Sequence, residues 1–202
     1  WDREQDHQSL RSHAVEEVYE LLDAIEAGDD VEMAEELGDL LLQVVFHAQL
    51  GRERGVFDFD SVCQHLVDKL IRRHPHVFGS VTVKDVDQVW AHWESIKKAE
   101  KAGSKHERKS ALDGVPRHLP ALMRSQKLLK KAAKAGLAEV PVAPKSGERK
   151  AMAAALFDLT AQCQAAGWSA EELLRAESRR RESAWRRAES RNAGRRNAGL
   201  KP

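Results

Sequence analysis

The feature that most constrains this chain is a pair of apolar helical repeats set about three residues apart near its start. Leu10, Ala14, Val18, Leu21, Leu22 and Ile25 recur at the spacing of one helix face, and so do Leu37, Leu41, Val44, Val45 and Ala48. Gly28 lies between them, where a C-terminal glycine ends a helix, and Asp29 or Asp30 offers an oxygen to cap the next. The pattern predicts helices over about 8–27 and 31–54, the second stopping at Gly55. A break this short folds them into an antiparallel hairpin.

The rest of the chain continues in the same style. A third helix is expected from an Asp60 cap to His74, because the residue before Pro75 is driven out of helical geometry. Asp85 is expected to cap a fourth, which carries Trp90 and Trp93 and ends near Ala102-Gly103. The polar stretch 103–120, with Gly114, Pro116 and Pro120, reads as a linker. Helices over about 119–135, 148–165 and 169–192 follow, with a break at 136–147 and a frayed end over the last ten residues. Aromatic residues make up only 5% and charged residues 32%, a balance that favours an all-α protein over a β-rich one. No apolar run approaches the ~20 residues that cross a bilayer, so no membrane partner is expected. No charged-then-apolar leader opens the chain at Trp1, so no signal peptide is expected. Cys63 and Cys163 are far apart and outside any CxxC pair, as expected of reduced core thiols in a cytoplasmic protein.

Charge is divided unevenly along the sequence. Residues 1–60 carry 17 acids against 4 Lys/Arg, and residues 61–202 carry 15 against 29. Such a division suits either a metal-bridged polyanion site or an acidic body with a basic nucleic-acid tail. The acids are densest on the hairpin. Glu16, Glu17 and Glu20 lie on the first helix, Glu36 and Asp39 on the second, and residues three or four apart share a face. At ~1.5 Å per residue Glu20 and Glu36 are ~10 Å and ~9 Å from the turn, so the pairs Glu17/Glu20 and Glu36/Asp39 should face each other. Four converging carboxylates suit a hard divalent cation, Mg²⁺ or Mn²⁺, and not zinc. The competing reading is a solvated acidic face, which is ordinarily laced with Lys or Arg one turn away. Here no Lys or Arg occurs from Ser12 to Gly51, and the cation is the missing partner. Gly38, between Glu36 and Asp39, is expected to allow a neighbouring helix to approach closely.

Lys69, Arg72 and Arg73 project from one side of the third helix. Beside a cation site they suit the remaining oxygens of a triphosphate. His74 and His76 fit either phosphate contact or a capping and packing role. Trp90 and Trp93 fit either core packing or stacking on a base.

At this point the residues resemble a known family. Glu16-Glu17-Val18-Tyr19-Glu20 followed by Glu36-Leu37-Gly38-Asp39 is similar to the EExxE…ExxD signature of the MazG family of all-α nucleoside triphosphate pyrophosphohydrolases. The likeness extends through Trp1-Asp2 with Gln5, the run to Phe46, Lys69 to Phe78, Trp93 to Lys97, and Leu112 to Pro116 with Leu119 to Leu122. It implies a four-helix module packing into a dimeric bundle, and Mg²⁺-dependent hydrolysis of (d)NTPs, damaged or non-standard ones included, to monophosphate and pyrophosphate. Glu17, Glu20, Glu36 and Asp39 would be the metal ligands, with Mn²⁺ a substitute for Mg²⁺. Glu16 would orient or deprotonate the attacking water. Lys69, Arg72, Arg73 and, more weakly, Lys97 would hold phosphates. A homodimer or higher homo-oligomer is implied.

The implied organisation is a catalytic domain over 1–102, a linker over 103–118 and a degenerate C-terminal helical repeat with a basic tail over 119–202. Where two-repeat members carry a second ExxD helix, this chain has Ala151 and Ala154 in the run Ala151 to Leu159, so the second repeat is expected to be catalytically dead. The alternative function is a nucleic-acid-binding or regulatory helical protein using the nine arginines between Arg175 and Arg196. A solvated helix is the favoured reading of that segment, and no nucleic-acid partner is expected.

Overall fold

Gly28 takes the left-handed conformation (φ 68°, ψ 29°) that closes a helix and reverses the chain. Its N–H donates to the carbonyls of Ala24 and Ile25, and the next residue, Asp29, accepts from Val31 N and Glu32 N at 3.0 and 3.1 Å. Glycine stop and aspartate cap together make a two-residue turn between α1 (Arg11–Ala27) and α2 (Asp30–Glu53), which pack along each other. The computed structural model describes residues 1–79, 85–101, 103–104, 107–139 and 141–197, with backbone alone at 86–88, 90, 91, 94, 98 and 195–197. All regular elements among them are helical. The chain divides into two units, Trp1–Lys97 and Lys98–Pro202.

In the first unit, α3 (Phe59–Arg73) packs on α2 and is followed by the single turn α4 (Pro75–Phe78) and by α5 (Val86–Ala99). The α3 cap is Asp58, not the expected Asp60. Asp58 is extended (φ −133°, ψ −176°) and accepts from Ser61 N at 2.8 Å, which leaves Asp60 in the first turn. Hydrogen bonds from Ser61 hold the Asp58 carboxyl below its usual range. The His74 imidazole binds the Leu70 carbonyl at 2.8 Å, the capping role of the two considered for it. Gly51 is required by packing, because a Cβ there would stand 2.6 Å from the Phe57 ring folded over the end of α2.

Among the described residues the apolar pattern of the hairpin is only partly buried. Leu10, Ala24 and Ala48 are sealed, whereas Val18, Leu22, Ile25, Leu37 and Leu41 are each 41–54% exposed. Gly38 does not face a neighbouring helix as expected, since a Cβ there would meet nothing within 4 Å. Cys63 is exposed rather than a core thiol, and Cys163 is half-buried.

The second unit is built on α6 (Ala121–Lys134) and α8 (Ala170–Asn197), with α7 (Arg149–Ala165) held against α8. Pro120 gives α6 no side-chain cap, so Glu171 of α8 accepts from Ala121 N instead, at 2.9 and 3.0 Å. Arg124, 4% exposed, donates to Glu182 at 2.6 Å. Glu182 also receives Arg186, which reaches Asp113 at 2.7 Å. Glu189 accepts from Ser110 Oγ and from Ala111 N at 2.5 and 2.7 Å, fixing the turn that buries Leu112. The final helix outruns its expected end near 192 and continues to Asn197, since an exposed glycine such as Gly194 costs a helix only ~1 kcal/mol. Of the end expected to fray, residues 198–202 lie outside the described residues.

Candidate metal centre

Glu17 and Glu20 stand one turn apart on α1, and Glu36 stands on α2. The hairpin brings one carboxylate oxygen of each within 4.8 Å of the others. Asp39, one turn beyond Glu36, adds its charge to both Glu20 and Glu36 without entering that tightest group. Burial and the negative neighbours Glu16, Glu17 and Asp39 push the Glu20 carboxyl above its ordinary range. Burial and the charges of Glu20, Asp39, Glu17 and Glu32 push Glu36 the same way. The Glu36 Oε2 atom is buried and has no hydrogen-bond partner.

These observations test whether a cation fits. An unpaired buried oxygen and three converging carboxylates fit a cation as counter-charge, and the raised Glu20 and Glu36 carboxyls agree with it. The all-oxygen donor set suits a hard divalent ion. Glu16 is exposed on the flank of the cluster, with His13 Nδ1 3.8 Å from its carboxylate.

The basic residues form a second grouping. Lys69, Arg72 and Arg73 lie in the last turns of α3. Arg73 and Lys97 both face the Trp93 ring, 5.5 and 4.2 Å from its centroid. Such cation–aromatic contacts hold a charge over the ring face. Three of the expected phosphate and base residues are thereby gathered, and Trp93 serves first as a platform for cations. The Trp90 side chain lies outside the described residues.

Sequence reasoning missed one residue of the centre. Gln43 is 9% exposed and donates from Nε2 to Glu17 Oε1 at 3.2 Å, across the hairpin. The signal was present: Gln43 is the one amide in the apolar run from Leu40 to Phe46, four residues after Asp39 and seven after Glu36.

A helical hairpin that converges three carboxylates, one of them with a buried, unpaired oxygen, defines an all-α protein with a candidate cation centre. Over residues 5–78 the sequence matches the MazG nucleotide pyrophosphohydrolase domain, a span that contains every carboxylate of the cluster together with Lys69, Arg72 and Arg73. The chain belongs to the MazG family. It is 48% identical over 136 residues to the nucleoside triphosphate pyrophosphohydrolase of Escherichia coli K12, covering 67% of this chain and 51% of that protein. It is 54% identical over 130 residues to the uncharacterized protein YabN of Bacillus subtilis, covering 64% of this chain and 26% of that one. A 26.1 kDa uncharacterized protein of Streptomyces cacaoi is 43% identical over 178 residues, 87% of this chain and 70% of its own length. The chain thus spans about half of the Escherichia coli enzyme and about a quarter of the Bacillus protein.

Proposed function

We propose that this chain is a Mg²⁺-dependent nucleoside triphosphate pyrophosphohydrolase, converting (d)NTPs to monophosphate and pyrophosphate. The observation that carries the reading is the convergence of Glu17, Glu20 and Glu36, the last with a buried carboxylate oxygen without a partner. Glu17, Glu20, Glu36 and Asp39 hold the cation, with Mn²⁺ a substitute. When bound, it neutralises phosphate charge and lowers the pKa of water. Glu16, at the exposed edge, orients the attacking water and takes its proton as the bond between the α- and β-phosphates breaks. Lys69, Arg72, Arg73 and Lys97 hold phosphate oxygens, and Trp93, with Trp90 beside it in sequence, offers a ring to the base. Damaged or non-standard nucleotides belong to the same substrate class.

The unit works as a homodimer or higher homo-oligomer, a reading supported by the exposed apolar stripes on α1 and α2 among the described residues. The catalytic domain is 1–102, and 103–118 joins it to a second repeat that has lost its acids at Ala151 and Ala154. Free cysteines suit the cytoplasm. The rival nucleic-acid reading is disfavoured by the pairing of Arg175, Arg180, Arg181 and Arg186 with carboxylates of their own unit.

The test is a panel of NTPs and dNTPs with Mg²⁺, assayed for monophosphate and pyrophosphate. Turnover is expected, and Glu36→Ala should lower it by at least ~100-fold, about 3 kcal/mol of transition-state stabilisation. No turnover of any nucleotide by either protein would sink the enzyme reading. A DNA or RNA shift lost on removing residues 175–202 would favour its rival.

A further inference from the structure

We propose that Gln43 is a positioning residue of the cation centre, holding Glu17 in its ligating orientation and offering its own carbonyl oxygen to water in the site. The inference deepens the proposed function and rests on its assignment of Glu17 as a ligand.

Three observations carry it. Gln43 shares the α2 face of Glu36 and Asp39, being seven and four residues further along the helix. Its Nε2–H donates to Glu17 Oε1 at 3.2 Å, so it bridges the two arms that supply the carboxylates. Its Oε1 is buried and has no partner, the same condition as Glu36 Oε2 on the same helix. Interior amide oxygens are almost always paired with protein, ordered water or an ion, and a bare one beside a carboxylate cluster points to a water or ion there.

Chemistry explains why the position carries an amide. A carboxylate that accepts one N–H is held at one oxygen and keeps its second oxygen for a cation. A lysine at position 43 would neutralise the cluster and compete with the ion. A glutamate would add a further negative charge where Glu20 and Glu36 are already pushed upward. The amide is neutral at every working pH and supplies a donor and an acceptor together. Groups that orient metal ligands in this way typically change metal affinity by ~10–100-fold when removed.

The experiment is titration of the full chain with Mn²⁺ alone, free ion being followed by electron paramagnetic resonance, alongside thermal melting of the metal-free protein. Gln43→Met, which keeps the length and removes the amide donor and acceptor together, should bind Mn²⁺ ~10-fold more weakly or worse. Its metal-free melting should be no lower than wild type, since an unpaired buried oxygen is removed. Gln43→Leu, an apolar residue of different shape, should show the same loss and replaces Gln43→Met if the latter does not fold. In a Glu17→Gln background either change should add less than a twofold further loss, because the group it positions is gone. Unchanged Mn²⁺ affinity in both variants overturns the inference, as does an undiminished loss in the Glu17→Gln background, or a wild-type chain that binds no Mn²⁺. Tight Mn²⁺ binding, weakened in the Gln43 variants, with no pyrophosphate released from any nucleotide, would leave the positioning role standing and remove the pyrophosphohydrolase reading.

Discussion

Glu20 and Glu36 are carboxyls that the fold makes harder to ionise. Their values in the unfolded chain lie near the ordinary 4.5, and in the folded hairpin they lie higher. The folded state therefore binds protons more readily than the unfolded one across that interval. These two groups favour folding at low pH and count against it as pH rises past their raised values. A divalent cation removes the repulsion that protons would otherwise relieve, so protons and cation compete. The increase in melting temperature on adding Mg²⁺ should accordingly be clearly larger at pH 7.5 than at pH 5. Equal increases at the two pH values, measured by scanning calorimetry, would contradict the account. At this scale most of the centre was legible in the sequence, because same-sign acids at helical spacing without a nearby base are conspicuous. Gln43 was not, since an amide inside an apolar run looks like any interior polar residue until its partner across the hairpin is seen. Gly38 misled for a related reason: a small residue permits close approach, and whether anything approaches is decided elsewhere in the fold.

At the scale of elements, helix ends were legible where the chemistry is local. Gly28, Asp29 and Pro75 act on their own neighbours, and the structure uses them as expected. Asp58 and Asp60 both suit a cap, and only the extended backbone of Asp58 separates them. What no local pattern announces is a cap borrowed from another helix, as α6 borrows Glu171 from α8. The same pair of helices is locked by Arg124 and Glu182, whose side chains are 5% and 16% exposed. Burial pushes Glu182 up, but the Arg124 and Arg186 hydrogen bonds outweigh it and leave the carboxyl low. Glu182→Ala strands a buried guanidinium, and breaking such a pair costs about 3 kcal/mol or more. Hydrogen exchange should therefore quicken in α6 and α8 and stay unchanged in α1 and α2. Exchange in α6 and α8 unchanged from the wild type would show that the pair contributes nothing. Acid acts here in the opposite sense to the hairpin. Glu171 and Glu182 are lowered and Glu177 falls to about 2, so their support is complete above the ordinary range and is lost as pH falls through their folded values.

At the largest scale, the telling feature is apolar surface exposed on the hairpin among the described residues. The sequence periodicity marked the apolar faces of α1 and α2, but periodicity does not say whether anything covers them. Leu41 is 54% exposed and Leu22 52%, in stripes that continue along both helices. Patches of that kind ordinarily mark an interface. Leu41→Lys on a free surface would change stability by no more than ~0.5 kcal/mol and leave the mass as it was. In a shared bundle it buries a charge, and sedimentation velocity should show the species falling to half the mass of the wild type. A wild-type chain that sediments as a monomer at every concentration would end the dimer reading.

The two-residue turn at Gly28 and Asp29 has a last consequence, in entropy. Bringing separate ligands around an ion ordinarily costs the freedom of the segments that carry them, and that cost grows with the length of chain between them. Here the closure is complete once α1 and α2 form, before any ion arrives, because the arms are joined by the shortest of turns and held along their length. What opposes the ligand set is then electrostatic and not configurational, and an ion meets that opposition directly with its charge. A centre made this way should bind a cation without reordering the backbone that carries its ligands.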